Sequence, residues 1–368
     1  MTMKRREFLK KAGAGATLAA VAGSAQAQGQ PARWRMATMW PKSLDAMYGS
    51  ADAFARRVTA ITEGRFTITS AAAGEIVPPL QVFDAVQNGT IEVGHVLSSF
   101  FFGKNPAIAF DAGVPFGLNT RQQFAWMFNG GGLELMREVF KPFNIVPLPV
   151  GNVGVQMGGW YRKEIKTVAD LNGLKFRIGG FGGAILSKLG AVPQQIPAGE
   201  IYTSLEKGLI DGAEWIGPYD DEKLGLHKVA KFYYTPGWWE GSAQVSLLIN
   251  QKAWDGLPQP HKDAFECAAA EQCMLMISKY DAKNPEALKR LVAGGAQLRQ
   301  FPKAVLDACY KATQETMNEF AGKSADFKKV YDSWSKFRDD ENLWFRVAEH
   351  TLDSYRYGVG GKPAASTK

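Results

Sequence analysis

Histidine and cysteine are scarce in this chain of 368 residues, which holds four of the first and three of the second. His95, His227, His261 and His350 stand far apart, and Cys267, Cys273 and Cys309 lack metal-finger spacing, which excludes the compact zinc arrangements such residues build. The sequence has no phosphate-binding P-loop, no intact dinucleotide fingerprint near Gly179, no Gly-x-Ser-x-Gly elbow and no His-Glu-x-x-His helix. The chemistry those motifs carry has no visible machinery here. Long apolar runs are missing too, since nothing reaches the roughly 18 to 20 uninterrupted apolar residues of a membrane span.

What is present begins with an address. Lys4-Arg5-Arg6-Glu7-Phe8-Leu9-Lys10 is a twin-arginine pattern, followed by a weakly apolar run from Ala12 to Ala22 and the small-residue form Ala25-Gln26-Ala27. Residues 1–27 therefore read as a twin-arginine signal peptide, and the expectation is a soluble periplasmic protein. Without that segment the formal charge falls from +7 to +3, with 38 basic against 35 acidic residues. No basic run with interleaved aromatics survives, so nucleic acid is not an expected partner. In an oxidising compartment three cysteines are an odd set. Cys267 and Cys273 lie six apart on different faces of an expected helix, which disfavours a local bridge. A bridge from either to Cys309 stays open, but buried free thiols are the expectation.

The remaining 341 residues exceed what one core usually serves, and two domains are the prior. Arg33 to Trp40 reads as a strand. A helix is expected from Ser43, with Phe54, Val58 and Ile61 on one face and Gly64 as its stop, and Arg65 to Ser70 alternates as a second strand. Strand, helix, strand is the signature of a parallel sheet. A local unit then recurs: Val86-x-x-Gly89-x-Ile91-Glu92 is matched 119 residues on by Leu205-x-x-Gly208-x-Ile210-Asp211, a helix end, a glycine cap and a strand opening with isoleucine and acid. That suggests two similarly built lobes, over 32–152 with a return near 244–260, and over 153–243. Crossings near Gly154 to Tyr161 and Gly241 to Asn250 would act as hinges. Residues 261–357 read as helical segments and 358–368 as a disordered tail.

The stretch from Gly173 to Trp215 carries the chemistry. In Leu174-Lys175-Phe176-Arg177-Ile178 apolar and basic residues alternate, so Arg177 sits on a strand, where a guanidinium can grip a carboxylate through two parallel hydrogen bonds. Glycines at 179, 180, 182 and 183 leave amides open at a helix start, an environment suited to anions. The plain alternative is a solvated strand arginine. Glu214 and Trp215 follow a short strand, at the end where ligands bind in open α/β sheets; a salt-bridging acid and a core indole are their ordinary fates. An acid beside a carboxylate-binding arginine repels the ligand unless a cation lies between them. This points to a hard metal ion with oxygen ligands from Glu214, a backbone carbonyl and the ligand. Glu240, after Trp238-Trp239, reads as a pocket wall with a polar tip or as part of an aromatic cluster. Gln156 can donate to and accept from one oxygen-rich ligand, or bond only to backbone. Phe100-Phe101-Phe102 is core or an apolar cleft wall.

These blocks resemble the solute-binding subunits of tripartite ATP-independent periplasmic (TRAP) transporters over nearly the whole chain after the signal. The likeness is carried by Met39-Trp40-Pro41, Gly103-Lys104-Asn105-Pro106-Ala107, Asp170 to Arg177, Glu206 to Asp221 and Pro236 to Glu240, and is greatest toward the branch that binds 2-oxo acids such as pyruvate or related 2-hydroxy acids. The resemblance implies an α/β, two-lobed periplasmic binding protein fold with strand hinges, a long helix spanning both lobes and a helical C-terminus. It implies a transport receptor and not an enzyme, with TRAP membrane subunits as partners and, in some members, a homodimer through C-terminal helices. Arg177 would pair with the substrate carboxylate, with Gln156, Phe102 and Trp215 at the substrate. A metal ion, sodium or calcium, would bridge protein and ligand at Gln156, Glu214, Glu240 and the Trp215 carbonyl. The Phe100 to Phe102 stretch departs from relatives that often carry tyrosines there. Two rivals remain: an exported cofactor enzyme, and the same fold with another acid, where Lys175 on the face of Arg177 would supply a dicarboxylate's second cation.

Overall fold

The computed structural model describes residues 31–360. The signal segment 1–27 and residues 361–368 of the expected tail lie outside the described residues. Strands β1 (Ala32–Thr38), β2 (Phe66–Ala71), β3 (Val93–Val96) and β4 (Ile145–Asn152) come first, then β5 (Trp160–Tyr161), β6 (Lys175–Arg177), β7 (Val192–Gln194), β8 (Gly212–Ala213) and β9 (Phe232–Thr235). The last are β10 (Gln244–Asn250) and β11 (Gln297–Gln300). They form two sheets, ordered β2-β1-β3-β10-β4 and β11-β9-β5-β8-β6-β7.

In the first sheet β1 pairs parallel with β2 and β3, and Trp34 lies opposite Ile68. Trp34 and Met36 are buried while Arg33 and Arg35, which alternate with them, are exposed, the period-two pattern of a half-covered strand. The following helix, Met47–Ile61, starts four residues later than expected and buries Phe54 and Val58, whereas Ile61 at its end is exposed. Glu63 and Gly64 turn the chain at positive φ.

The recurring unit occurs once in each sheet. After helix Val82–Gln87, Gly89 takes φ +71°, and after helix Ala198–Glu206, Gly208 takes φ +69°. Ile91 and Ile210 are fully buried. The acid that follows each plays one role: Glu92 accepts from the amide of Arg35 at 2.8 Å and Asp211 from the amide of Lys175 at 3.0 Å. Each acid thus ties its strand to the parallel neighbour, β3 to β1 and β8 to β6.

The chain passes between sheets after β4 and returns after β9. A 35-residue helix, Gln259–Ala293, runs along both halves; at 1.5 Å per residue it is about 50 Å long. Its first part packs on β4 and on helix Met47–Ile61, with Arg57 bonded to Glu271 at 2.6 Å. Farther along, Asn284 accepts from the Tyr219 amide at 3.0 Å and Arg290 grips Glu222 through two bonds of 2.7 and 2.8 Å. Within the segment read as helical, the chain after this point also contributes β11, which pairs parallel with β9. Its four residues Gln-Leu-Arg-Gln carry one apolar side chain, too weak a pattern to mark an edge strand. Helices Lys303–Lys323, Ala325–Val347 and Glu349–Gly360 are the last of the described residues, so residues 358–360 of the expected tail are helical. All three cysteines are free, Cys273 and Cys309 buried as expected and Cys267 exposed.

Candidate functional site

Arg177 ends β6 and faces Ala213 of β8 in register, and the Glu214 amide donates to the Arg177 carbonyl at 3.1 Å. Arginine and acid therefore leave the carboxyl ends of adjacent parallel strands side by side. The two crossings meet them there. Gln156 lies between β4 and β5 and Glu240 between β9 and β10, with the Gln156 amide donating to the Glu240 carbonyl at 3.2 Å. The crossings touch so closely that a Cβ on Gly237 would lie 2.4 Å from the Gln156 carbonyl oxygen. Trp239 Nε1 donates to Gln156 Oε1 at 3.2 Å, which orients that amide.

Arg177 is 1% exposed. Its Nε donates to the Ile196 carbonyl at 3.1 Å and its Nη1 to the Glu214 carbonyl at 2.7 Å and to the Glu214 carboxylate. The rings of Trp215 and Phe100 lie 5.0 and 5.6 Å from the guanidinium carbon. Nη2 is buried with no partner, and so is Trp215 Nε1. A buried donor left without an acceptor costs free energy, and the remaining edge of this guanidinium is suited to a ligand oxygen.

Burial pushes the Glu214 carboxyl up to about 7, outweighing the adjacent guanidinium. Burial, and then the charge of Glu214, pushes Glu240 up to about 8. Two such acids in one cavity must hold protons or share a cation. With the amide oxygen of Gln156 the available donors are all oxygens, which suit a hard cation such as sodium or calcium. Among the described residues no group of three or more His, Cys, Asp or Glu side chains could hold a metal ion. A cation here would need ligands beyond the two acids, from amide, backbone or substrate oxygens.

Gln156, Arg177, Glu214, Trp215 and Glu240 all line one cavity. Phe102 does not line it. Its ring packs 5.0 Å from Phe181 and 5.5 Å from Phe320, while Phe100 takes the wall position. The cause is the tight 3-10 turn Ser98–Phe101, which sends Phe101 into the core against Phe83 and leaves Phe100 facing the cleft. Lys175 is exposed and stays outside, so Arg177 is the one cation among the lining residues. The glycines after Arg177 permit close approach: Gly180 has φ +58°, and a Cβ on it would meet the Ser99 carbonyl at 2.9 Å. Sequence reasoning missed Trp40 and Met47, which also line the cavity. Trp40 donates to His95 Nδ1 at 2.8 Å, and burial pushes that imidazole down to about 3, keeping it a neutral acceptor. The position of Trp40 just past β1, at the sheet's carboxyl edge, was the available signal.

Two sheets joined by paired crossings, a bridging helix and a buried cleft with one cation define a two-lobed receptor for small organic acids. The family model for bacterial extracellular solute-binding protein, family 7, matches residues 36–323, and the chain belongs to this family of periplasmic TRAP transporter receptors, which are not enzymes. The chain is 49% identical over 360 residues to a monocarboxylate 2-oxoacid-binding periplasmic protein of Nostoc sp., covering 96% of this chain and 99% of that protein. Its fold matches a TRAP transporter solute-binding protein from Bordetella bronchiseptica with TM-score 0.89 at 58% identity, covering 90% and 98% of the two chains. That protein is a mixed-occupancy dimer with copurified calcium and picolinate in one active site and an apo second site. A TRAP periplasmic solute-binding protein from Colwellia psychrerythraea, with bound calcium and pyruvate, matches with TM-score 0.86 at 36% identity, over 88% and 100% of the chains.

Proposed function

We propose that this protein captures a small 2-oxo monocarboxylate, pyruvate or a near homologue, and passes it to TRAP membrane subunits. The observation that carries the reading is the buried, unpartnered Nη2 of Arg177 beside the buried Glu214 and the half-buried Glu240, both pushed well above the usual carboxylate range. The ligand carboxylate docks on Nη2. A sodium or calcium ion lies between it and Glu214, held also by Glu240, Gln156 and the Trp215 carbonyl. Picolinate and pyruvate, held by the relatives, share a carboxylate with a second donor atom on the next carbon, the pattern that chelates such an ion. With Lys175 outside the cavity a second ligand carboxylate has no cation to meet, which favours a monocarboxylate over a dicarboxylate.

The lobes, 32–152 with 244–260 and 153–243, close over the ligand about the crossings. The closed state gains by its differential affinity for the ligand. The twin-arginine pattern at Arg5-Arg6 would export the folded chain. Leu343, Trp344, Val347 and Leu352 in the last helices are 56 to 71% exposed, which supports a homodimer through those helices. The test is isothermal titration of ligand-stripped protein with pyruvate, 2-oxobutyrate, lactate and succinate, each with sodium, calcium or chelator. Tight monocarboxylate binding that needs one cation is expected; preference for succinate, or no heat with any acid, would remove the substrate assignment.

A further inference from the structure

One cluster outside the cavity ties the two halves together. Asp45 lies between β1 and helix Met47–Ile61, on the first sheet's side. Tyr219 and Lys223 belong to helix Pro218–Leu224, between β8 and β9 on the second sheet's side. Tyr219 Oη donates to both oxygens of Asp45, at 3.1 and 3.0 Å, and Lys223 Nζ pairs with the same carboxylate. From the long helix, Lys279 Nζ reaches Asp45 Oδ2 at 2.7 Å and its carbonyl at 2.8 Å.

The lobe-two end of this cluster is anchored. Lys223 Nζ lies 3.3 Å from the Tyr219 ring centre and 3.7 Å from Asp220 Oδ1, and Asp220 is fully buried and accepts from Tyr280 Oη at 2.7 Å. The Tyr219 amide is fixed on Asn284. Opening the cleft would pull this helix away from Asp45, while Lys279 could follow either side. None of the four residues lines the cavity, but Met47, two residues past Asp45, does.

We propose that Asp45, Tyr219 and Lys223 form a closure latch at the rim of the cleft, positioning residues that hold the two lobes shut and slow ligand release without touching the ligand. Burial alone would raise the Asp45 carboxyl, yet the Lys223 and Lys279 ammonium groups hold it well below the usual carboxylate range. The carboxylate is 48% exposed, and exposed ion pairs are individually weak and screened by salt. The latch therefore biases closure without locking it.

The test uses the chain without its signal, with Cys267→Ser and spin labels at the exposed positions Glu63 and Lys207, one on each lobe. In ligand-free protein, Asp45→Asn lowers the closed fraction about fivefold, the loss of two to three exposed contacts. Tyr219→Phe lowers it less, and Asp45→Glu restores most of it. Release of pyruvate with calcium, followed by stopped flow, speeds up about fivefold in Asp45→Asn while the association rate stays within about twofold. This release arm rests on the pyruvate reading above; the distance arm does not, so failure of pyruvate to bind would count against that reading alone. A closed fraction that does not fall in Asp45→Asn overturns the latch. So does a lowered melting temperature with lobe distances unchanged, because the cluster would then be a fold contact only.

Discussion

Replacing Arg177 by methionine separates the ligand's anchor from the scaffold. The guanidinium makes three bonds to protein, through Nε to Ile196 and through Nη1 to the Glu214 carbonyl and carboxylate, and leaves Nη2 free. A charge-assisted hydrogen bond is worth about 1.5–3 kcal/mol, and truncating one partner of a buried charged contact costs about 2–5 kcal/mol. A loss of about 3–4 kcal/mol corresponds to roughly 100- to 1000-fold weaker binding. The fold should tolerate the change because Glu214, already pushed up to about 7, can take a proton once its partner is gone. Melting temperature should therefore change little at pH 6, with a larger deficit at pH 8.5, where keeping that proton is harder. Arg177→Lys keeps the charge but loses the fork that reaches Ile196 and Glu214 together, and should weaken binding about tenfold or more. The assay is calorimetric titration with pyruvate and calcium, beside circular dichroism. Near-native affinity in a folded Arg177→Met protein would refute the anchor.

Three further outcomes follow from the same site. Glu240→Gln removes a half-buried acid pushed up to about 8; calcium should then cease to strengthen pyruvate binding, while metal-free melting at pH 8.5 stays level or rises, both read by scanning fluorimetry. In wild type without metal, Glu214 and Glu240 hold protons that the unfolded chain releases above about pH 4.5. Stability should accordingly fall as pH rises from about 5 to 8, and the melting shift given by calcium should grow over the same span; a rise without metal would contradict the burial of these acids. Phe100→Ala should weaken pyruvate binding about tenfold by opening the wall over Arg177, whereas Phe102→Ala, whose ring packs between Phe181 and Phe320, should cost about 2 kcal/mol of stability and leave affinity nearly unchanged.

The parts of this molecule that were legible in the sequence are those set by short-range rules. Alternation around Phe176 placed Arg177 on a strand. The repeated glycine, isoleucine and acid of Gly89 and Gly208 marked equivalent helix-to-strand junctions, whose acids clamp the neighbouring strand in both sheets. What stayed hidden depends on contacts between distant segments. The direct pairing of Arg177 with Glu214 follows from the register of β6 and β8, which no local pattern encodes. Phe100 and Phe102 are equivalent in composition, and only the turn geometry of Ser98–Phe101 assigns one to the cleft and the other to helix packing. Lys175 shares a strand face with Arg177, but it sits at the amino end of β6, away from the cleft, and remains exposed. The Asp45 cluster joins residues 174 positions apart, beyond reach of any spacing argument.

Where the ligand carboxylate and the cation sit is read most directly from a crystal structure grown with pyruvate and calcium, the metal through its anomalous signal. The carboxylate is expected on Arg177 Nη2 and the calcium between it and the carboxylates of Glu214 and Glu240, with Gln156 and the Trp215 carbonyl completing its shell. A carboxylate bound away from Arg177, or calcium absent from Glu214 and Glu240 while pyruvate is bound, would contradict it.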